Sequence, residues 1–377
     1  MINNQNFFIE AHIADIHFGA LDPKVQYNIL KEQFIEKLYR LPILDIISID
    51  GDIFHHKFMA NNESVSIACY FISDLIELCA VKNSTLLIIA GTYSHDAGQV
   101  KLFYPLMMQA KERGIDVRII EDIQFQYVKG KKILCIPELY GVPEERYKQF
   151  LYHSGVYDAC YMHGTYVNAI YGKNIPELNS EREPVFCMNH FSMCAGPIIS
   201  GHVHKPGCFD KHFYYSGSPY RWQFGEEEDK GFLFLLQDLR TRVYAVQFQP
   251  IISDKYVTLN LDYMLNQNPQ EIINYVSKIM QEQNIRFIRL QFTQNSVEKL
   301  NMLQTYYRNN SNVTIETKLK NDNVVQDIKE VEERYGQYDY LFDKNISPEQ
   351  KLAQYINQCE GSVFITKEDL INILSNI

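Results

Sequence analysis

Several features that mark particular protein classes are missing from this chain of 377 residues. No CxxC pair occurs among its eight cysteines, which argues against a zinc ribbon or a thioredoxin motif. No apolar run approaches the roughly 18 residues needed to span a bilayer. The opening residues, MINNQNFFIE, lack the basic and apolar regions of a signal peptide. We therefore expect a cytoplasmic protein without a membrane partner, whose free thiols suit a reducing compartment.

Positive charge is also scarce. The 36 Lys and Arg residues are outnumbered by 46 Asp and Glu residues, which gives a formal net charge of −10. This balance argues against a general nucleic-acid coat, because phosphate binding needs positive charge. It leaves a nucleic-acid enzyme open, since divalent cations and a local basic strip can offset an acidic body. The length predicts two or three domains.

Strand and helix patterns alternate along the first 250 residues. The segments 7–15, 43–50 and 86–91 have the apolar pattern of strands, and 24–41 and 62–80 between them have helical patterns. This βαβαβ order predicts a layered α/β fold. Later strand candidates follow without long helices, which predicts a second, more antiparallel sheet packed on the first in a four-layer αββα sandwich. They are 117–120, 133–137, 159–163, 185–188, 197–201, 213–216, 231–236 and 243–248.

The pattern changes after Pro250. Helical and strand patterns alternate there over a shorter stretch, which predicts a smaller α/β unit; they are 269–283, 285–293, 296–308 and 312–319. The remaining tail is charged and contains two helical patterns, 347–360 and 366–377, each beginning with a Ser or Thr in the N-cap position. The predicted domains are therefore 1–250, 251–322 and a helical tail, 323–377.

Aspartate and histidine residues follow several predicted strands directly. Polar side chains converge at the carboxyl ends of strands in α/β sheets, so we expect these residues to form one site. In chain order they are Asp15 and His17, Asp52, His95 and Asp96, His163, and His202 and His204.

These residues are the ligand types of a divalent-metal site. Carboxylate and imidazole groups suit manganese, iron or zinc. Asp52 is well placed to bridge two metals, and the predicted ligands of the two sites are Asp15, His17 and His204 for one and His163 and His202 for the other. Two such ions clamp a phosphate and activate a water. We expect His95, held by the carboxylate of Asp96, to protonate the leaving oxygen.

Taken in order, DxH, GDxxxx, a G…HD element, a solitary His and GHxH resemble the calcineurin-like metallophosphoesterase family. The closer likeness is to the SbcD-type nuclease subunit of DNA-repair complexes. It is carried by ADIHFG (14–19), GDIFH (51–55), GHVHKPG (201–207) and SGSPYRWQFGEEEDKGF (216–232). The resemblance covers residues 7–250, and the smaller α/β unit looks like the family's capping domain by its order alone. The size and the loop at 91–96 are compatible with a phage-encoded member.

The resemblance implies a manganese-dependent DNA nuclease with two ions per subunit, with magnesium, iron or zinc as the alternative metals. It implies 3′-to-5′ exonuclease and single-strand endonuclease activity in DNA repair and recombination. His55 would contact the scissile phosphate or help to position DNA. The implied partners are DNA, a second copy of the chain in a homodimer, and an SbcC-type ATPase with a long coiled coil, which the tail would dock.

One element departs from the family pattern. The family's GNHD supplies an Asn ligand to the second metal, whereas this chain has GTYSHD (91–96) with no Asn. A hydroxyl of Thr92 or Ser94 is the candidate replacement, and Ser94 is the predicted ligand. Because a neutral hydroxyl is a poorer ligand than an amide oxygen, we expect the second site to bind metal weakly or through a water.

Two other functions stay open at this point. A phosphatase or phosphodiesterase for small nucleotides or phosphoproteins would use the same metals and the same water. A non-catalytic scaffold is supported only by the missing Asn. The acidic run GEEED (225–229) is expected to be a solvated turn, and Arg221 and Trp222 are expected either near the site or in a structural role.

Overall fold

The computed structural model of this chain describes residues 7–96, 98–169, 178, 183–264, 266–283, 285–292 and 297–317. By their contacts, the described residues from 7 to 291 and from 297 to 316 form one compact unit. Both predicted tail helices lie outside the described residues. The predicted domain boundaries stay predictions.

Strands and helices alternate through most of the described chain. The strands are β1 (Phe7–Ile13), β2 (Ile46–Asp50), β3 (Thr85–Ile89), β4 (Asp116–Ile120), β5 (Gln124–Val128), β6 (Lys131–Ile136), β7 (Ala159–His163), β8 (Thr165–Tyr166), β9 (Val185–Phe186), β10 (Ile198–Gly201), β11 (Gly207–Phe209), β12 (Phe213–Tyr215), β13 (Lys230–Asp238), β14 (Tyr244–Ile251), β15 (Tyr256–Asn260), β16 (Phe287–Phe292) and β17 (Val313–Thr317). The α-helices are α1 (Pro23–Leu30), α2 (Glu36–Arg40), α3 (Glu63–Lys82), α4 (Tyr93–Asp96), α5 (Tyr104–Glu112), α6 (Glu144–Tyr152), α7 (Pro269–Glu282) and α8 (Val297–Tyr307), and a π-helical segment, Lys31–Ile35, joins α1 to α2.

Two six-stranded sheets contain most of the strands. The first has the order β14-β13-β1-β2-β3-β4, and the second has the order β11-β12-β10-β7-β6-β5. Strands β1 to β4 run parallel to one another. Strand β13 pairs antiparallel with β1, and β14 pairs antiparallel with β13 at the edge of the sheet. In the second sheet β6, β7, β10 and β12 run parallel, and only the edge strands β5 and β11 run antiparallel.

Apolar side chains fill three separate clusters around these sheets. One lies between the first sheet and helices α1 to α3 and α5, and includes Phe34 and Phe71. Another contains residues of both sheets, among them Leu87 and Tyr161. The third lies between the second sheet and α6. Strand β3 contributes alternate residues to the first two clusters, so both of its faces are buried, as its continuous apolar run predicts.

The predicted α/β class is confirmed, and most predicted strands and helices form within a few residues of their expected positions. The expectation of a more antiparallel second sheet is wrong. Its central strands are parallel, and their connections contain α6 and irregular segments in place of long helices. That the layers are those of a metallophosphoesterase sandwich stays a prediction. Sequence patterns also missed β5, β8, β11, β15, α4, α5 and α6.

A buried ionic network joins the two sheets. Glu10 on β1 contacts Lys131 on β6 and the hydroxyl of Tyr161 on β7, and His12 Nδ1 lies 3.0 Å from Asp50 Oδ2. Burial works against each charge, but Lys131 lowers the pKa of Glu10 to about 2 and Asp50 raises the pKa of His12 to about 9. Paired in this way, the charges can remain inside the protein. The contact with His12 also fixes the side chain of Asp50 at the end of β2.

The segment predicted to be a smaller α/β unit contains a three-stranded sheet of its own. Strands β15, β16 and β17 form it in that order, and α7 and α8 are its helices. Its edge contacts the loop after β12, where the ring of Phe224 lies 5.5 Å from that of Tyr256 and Arg289 stacks 4.4 Å over Phe224.

Helix α3 is long and apolar enough to cross a membrane by length and composition alone. Its apolar side chains, Phe71 and Leu75 among them, belong to the cluster against the first sheet. That packing is typical of the core helix of a globular domain.

Replacing Asn62 by Ala is expected to lower the free energy of unfolding by about 1 kcal/mol. The side chain of Asn62 caps α3 by accepting a hydrogen bond of 2.8 Å from the amide of Ser64. Urea denaturation would measure the change. The matched control is Asn61→Ala, one residue earlier and exposed, which should have little effect; equal losses in both variants would argue against the cap.

Candidate metal centre

The predicted site residues come together where the parallel strands of both sheets end. Asp15 and His17 follow β1, Asp52 follows β2, His163 ends β7, and His202 and His204 follow β10. His95 lies on α4 after β3. This is the edge at which α/β sheets place functional side chains.

The backbone is strained at this edge. Four of the converging residues are not glycine and yet have positive φ angles: Asp15 (52°), His17 (49°), Asp52 (53°) and His202 (96°). Such a conformation costs on the order of 1–3 kcal/mol per residue and persists where the surroundings impose it. Strain concentrated in four residues of one cluster indicates a functional site.

Two glycines allow the sheets to approach closely here. A Cβ atom on Gly51 would lie 2.2 Å from His163 Nδ1, and one on Gly201 would lie 2.2 Å from the carbonyl oxygen of Asp50. Any larger residue would push β7 and β10 away from the loop after β2. The glycines beside the predicted ligands therefore bring His163 within reach of Asp52.

The first donor cluster consists of Asp15, His17 and His204, whose ligand atoms lie within 4.8 Å of one another. His17 Nε2 is 3.2 Å from His204 Nε2 and 3.7 Å from Asp52 Oδ2. Asp15 is fully buried, and its carboxylate accepts a 3.0 Å hydrogen bond from the amide of His202.

The second donor cluster contains His163, His202 and Glu138, with Asp52 beside them. Asp52 Oδ2 is 3.3 Å from His163 Nε2, and Glu138 Oε2 is 2.9 Å from His202 Nδ1 and 3.7 Å from His163 Nε2. Asp52 therefore faces both clusters, as its predicted bridging position requires.

The donor atoms fit divalent cations. Ligands about 2.1 Å from an ion lie about 3.0–3.4 Å apart when the geometry is octahedral or tetrahedral, and several of the separations here fall near that range. His163 Nδ1 donates a 2.8 Å hydrogen bond to the carbonyl oxygen of Asp50, which directs Nε2 toward Asp52. Such an outer hydrogen bond orients a metal-binding imidazole.

Burial and the neighbouring carboxylate shift the pKa values of two of these histidines in opposite directions. Burial works against a charge on His163, but the Asp52 carboxylate outweighs it and raises the pKa of His163 well above its usual value. Burial lowers the pKa of His17 well below the usual value of histidine. A divalent cation would balance the charge of Asp52 in the same way, and its binding would require the neutral imidazole because metal ligands must be deprotonated.

The expected support of His95 by Asp96 is wrong. The buried carboxylate of Asp96 accepts hydrogen bonds from the amides of Ile53, Phe54 and Gly91, so it fixes the loops after β2 and β3. The Nδ1 atom of His95 contacts the backbone oxygen of His55 instead. Because Asp96 already accepts three backbone donors, a backbone carbonyl provides the support that sequence reasoning gave to a carboxylate.

His55 lies beside this pair. Its ring stacks on that of His95 with centroids 6.2 Å apart, and its Nδ1 atom is buried without a hydrogen-bond partner among the described residues. The predicted contact of His55 with a phosphate stays a prediction.

Ser94, the predicted replacement for the family's Asn, is exposed on α4, and its hydroxyl forms no hydrogen bond with the clusters among the described residues. Thr92 reaches the site instead. Its hydroxyl lies 3.2 Å from Asp52 Oδ2 and 3.3 Å from both Glu138 Oε2 and His163 Nε2. The structure therefore gives no support to Ser94 as a ligand.

The sequence patterns did not identify the carboxylates of Glu138 and Glu226 as site residues, and they left the role of Trp222 open. Glu138 joins the second cluster, and Glu226 of the acidic run is buried with Oε1 3.5 Å from His204 Nδ1, so that run is not simply a solvated turn. The ring of Trp222 lies 4.7 Å from His204 and 4.8 Å from His17. No spacing pattern marks these residues, although Glu226 and Trp222 lie within the SGSPYRWQFGEEEDKGF segment.

Comparisons with known proteins give one named relative. No protein-family profile matches the chain. The chain is similar to a curated protein named "Putative phosphoesterase 244L" of Invertebrate iridescent virus 6, with 24% identity over 260 residues that cover 66% of this chain and 84% of that protein. A solved structure covers 65% of this chain and 99% of its own, with a TM-score of 0.37 and 11% identity, values too low to carry an argument.

Proposed function

We propose that this chain is a metal-dependent nuclease that hydrolyses phosphodiester bonds in DNA. The observation that carries the proposal is the pair of donor clusters, both of which Asp52 faces. Similarity to a viral protein named as a phosphoesterase suggests phosphoester hydrolysis in general. The choice of DNA rests on the resemblance of segments 14–19, 51–55, 201–207 and 216–232 to SbcD-type nucleases.

In this proposal the protein supplies a rigid cage for two cations. Asp15, His17 and His204 would hold one ion, His163 and His202 would hold the other, and Asp52 would contribute to both sites. When bound, two such ions stabilise the charge of a phosphoryl group and provide a nucleophile from water at neutral pH. The strained loops and the hydrogen bonds behind the ligands fix the donor atoms in advance.

His95 is the proposed proton donor to the leaving oxygen. The carbonyl of His55 accepts from Nδ1 of His95, so Nε2 is the atom at which a transferable proton is held. A positioned imidazole of this kind contributes about 10²–10⁴-fold to a rate. His55, whose ring stacks on that of His95, is the proposed contact to the phosphate.

Small phosphoesters are the second candidate class of substrate, and one observation favours them. Two buried basic residues near the clusters are both engaged: Arg221 donates to backbone carbonyls in the 226–228 loop, and Lys230 contacts Glu228 and the carbonyl oxygen of His204. They are therefore not free to bind a DNA backbone, which depends on positive charge.

The proposal extends to partners and location. A homodimer joined to an SbcC-type coiled-coil ATPase, acting on DNA in the cytoplasm, is the assembly that the motif resemblance implies. The tail that would dock the ATPase, residues 323–377, lies outside the described residues.

Nuclease assays with Mn²⁺ test the proposal. We expect shortening of duplex DNA from its 3′ ends, nicking of single-stranded circles, and inhibition by DNA of bis-p-nitrophenyl phosphate turnover. Chelated protein should lose all three effects. Intact duplex ends, hairpins and circles, together with turnover of small esters that DNA does not inhibit, would instead establish the small-substrate function.

A further inference from the structure

The carboxylate of Glu138 lies inside the second donor cluster, although no motif of the sequence points to it. Glu138 follows β6 by two residues, and only 3% of it is exposed. Its neighbours in the cluster are His163 and His202. This is the half of the site for which GTYSHD lacks the expected Asn.

The side chain is held with one oxygen free to face the cluster. The Tyr140 hydroxyl donates a 2.8 Å hydrogen bond to Oε1. Oε2 lies 2.9 Å from His202 Nδ1, 3.7 Å from His163 Nε2 and 3.3 Å from the Thr92 hydroxyl. Oε1 is thus held by the Tyr140 hydroxyl, while Oε2 faces the donor atoms of the cluster. Carboxylates that bind metals are held by outer hydrogen bonds in the same way.

The charges around Glu138 also favour a role as a metal ligand. Among the described residues, no Lys or Arg forms an ion pair with Glu138, so its charge is balanced only by the neighbouring imidazoles. A buried carboxylate needs a charged partner or a metal. Asp15 and Asp52 are buried close by, and three carboxylates packed around histidine nitrogens are a donor set for cations.

We propose that Glu138 is a protein ligand of the second cation and takes the place of the family's Asn. This rests on the metal dependence proposed above. Thr92 would then be a positioning residue, because its amide and hydroxyl both bond to Asp52. An anionic ligand attracts a cation more strongly than a neutral amide or hydroxyl, so the second site binds its ion tightly. This affinity is the opposite of the weak metal binding that the loop sequence predicts for the second site.

The test counts bound ions and does not depend on turnover. Full-length protein is dialysed against Mn²⁺, bound metal is measured by elemental analysis, and electron paramagnetic resonance reports whether two Mn²⁺ ions are spin-coupled. We expect two coupled ions in the wild type. Glu138→Gln, which is isosteric, should keep one ion with the spectrum of an isolated Mn²⁺ and should weaken the second binding step on the order of 100-fold, the upper range even for residues that only support a ligand.

Three comparison variants separate Glu138 from its neighbours. Glu145→Gln alters a carboxylate that is 82% exposed, and Ser94→Ala removes the hydroxyl first predicted as the ligand; both should keep two coupled ions. Thr92→Val should also keep both, because the amide of Thr92 still bonds to Asp52. Glu138→Asp, which keeps the charge on a shorter chain, should show second-site affinity between wild type and Glu138→Gln, and it serves as the readout if Gln impairs folding.

Two coupled ions in Glu138→Gln would overturn the assignment, as would loss of the second ion in Thr92→Val or Ser94→Ala while Glu138→Gln keeps it. Failure of the proposed function looks different. In that case wild-type protein binds two ions through Glu138 but cleaves no phosphodiester.

Discussion

Replacing Asp52 by Asn is expected to reduce metal-dependent phosphodiester hydrolysis by about 10³-fold or more, since the several kcal/mol that metal ions contribute would be lost and each 1.4 kcal/mol is a factor of ten. Asp52 Oδ2 faces both donor clusters, so the substitution should also lower the number of bound ions. Asn suits this position because it tolerates the left-handed φ of 53° and can still accept from the Thr92 amide through Oδ1. The measurements are kcat/KM with bis-p-nitrophenyl phosphate and the bound-manganese count.

The matched control is Asp122→Asn. Asp122 is exposed and pairs with Arg146 on the surface, so its loss should leave both measurements unchanged. Burial works to raise the pKa of Asp52, but His163, His17 and His95 together hold it well below its usual value. Asp52 is therefore charged throughout the usual assay range. Wild-type turnover with two bound ions in Asp52→Asn would show that the clusters do not act as one site.

The positions of the six clustered residues could be predicted because they depend on strand ends. Asp15, His17, Asp52, His163, His202 and His204 each follow or end an apolar run that forms a parallel strand. Parallel strands end at one edge, so knowing the strands is enough to place the side chains together. The first sheet was predictable for the same reason, since its central strands are buried on both faces.

The missed residues depend on tertiary contacts that leave no periodic signal. Glu138 lies in the irregular segment after β6, and only the parallel packing of β6 beside β7 brings it to His163. The sequence predicted that Asp96 supports its neighbour His95, whereas in the structure its carboxylate accepts hydrogen bonds from three backbone amides of the loops after β2 and β3. Glu226 belongs to a run of four acidic residues, and composition alone cannot show which one turns inward to His204.

His95→Gln is expected to slow hydrolysis by about 10²–10⁴-fold while leaving two bound ions. The expected loss depends on the leaving group. A nucleoside alkoxide needs a proton from His95, whereas p-nitrophenolate leaves readily without one. Cleavage of a dinucleotide or of DNA should therefore fall much further than turnover of bis-p-nitrophenyl phosphate. Single-turnover rates with the two substrates, measured at saturating Mn²⁺, check this difference.

The metal count decides between two roles, because His95 also lies with His17 and Asp52 in a group whose ligand atoms are within 4.8 Å of one another. Loss of an ion in His95→Gln would show that His95 is a metal ligand. Equal losses for both leaving groups with both ions retained would show that the ring positions His55 or the phosphate, since the His55 carbonyl contacts His95 Nδ1. His153→Gln, an exposed histidine after α6, is the control and should match the wild type with both substrates. Only a loss that grows with the basicity of the leaving oxygen identifies His95 as the proton donor.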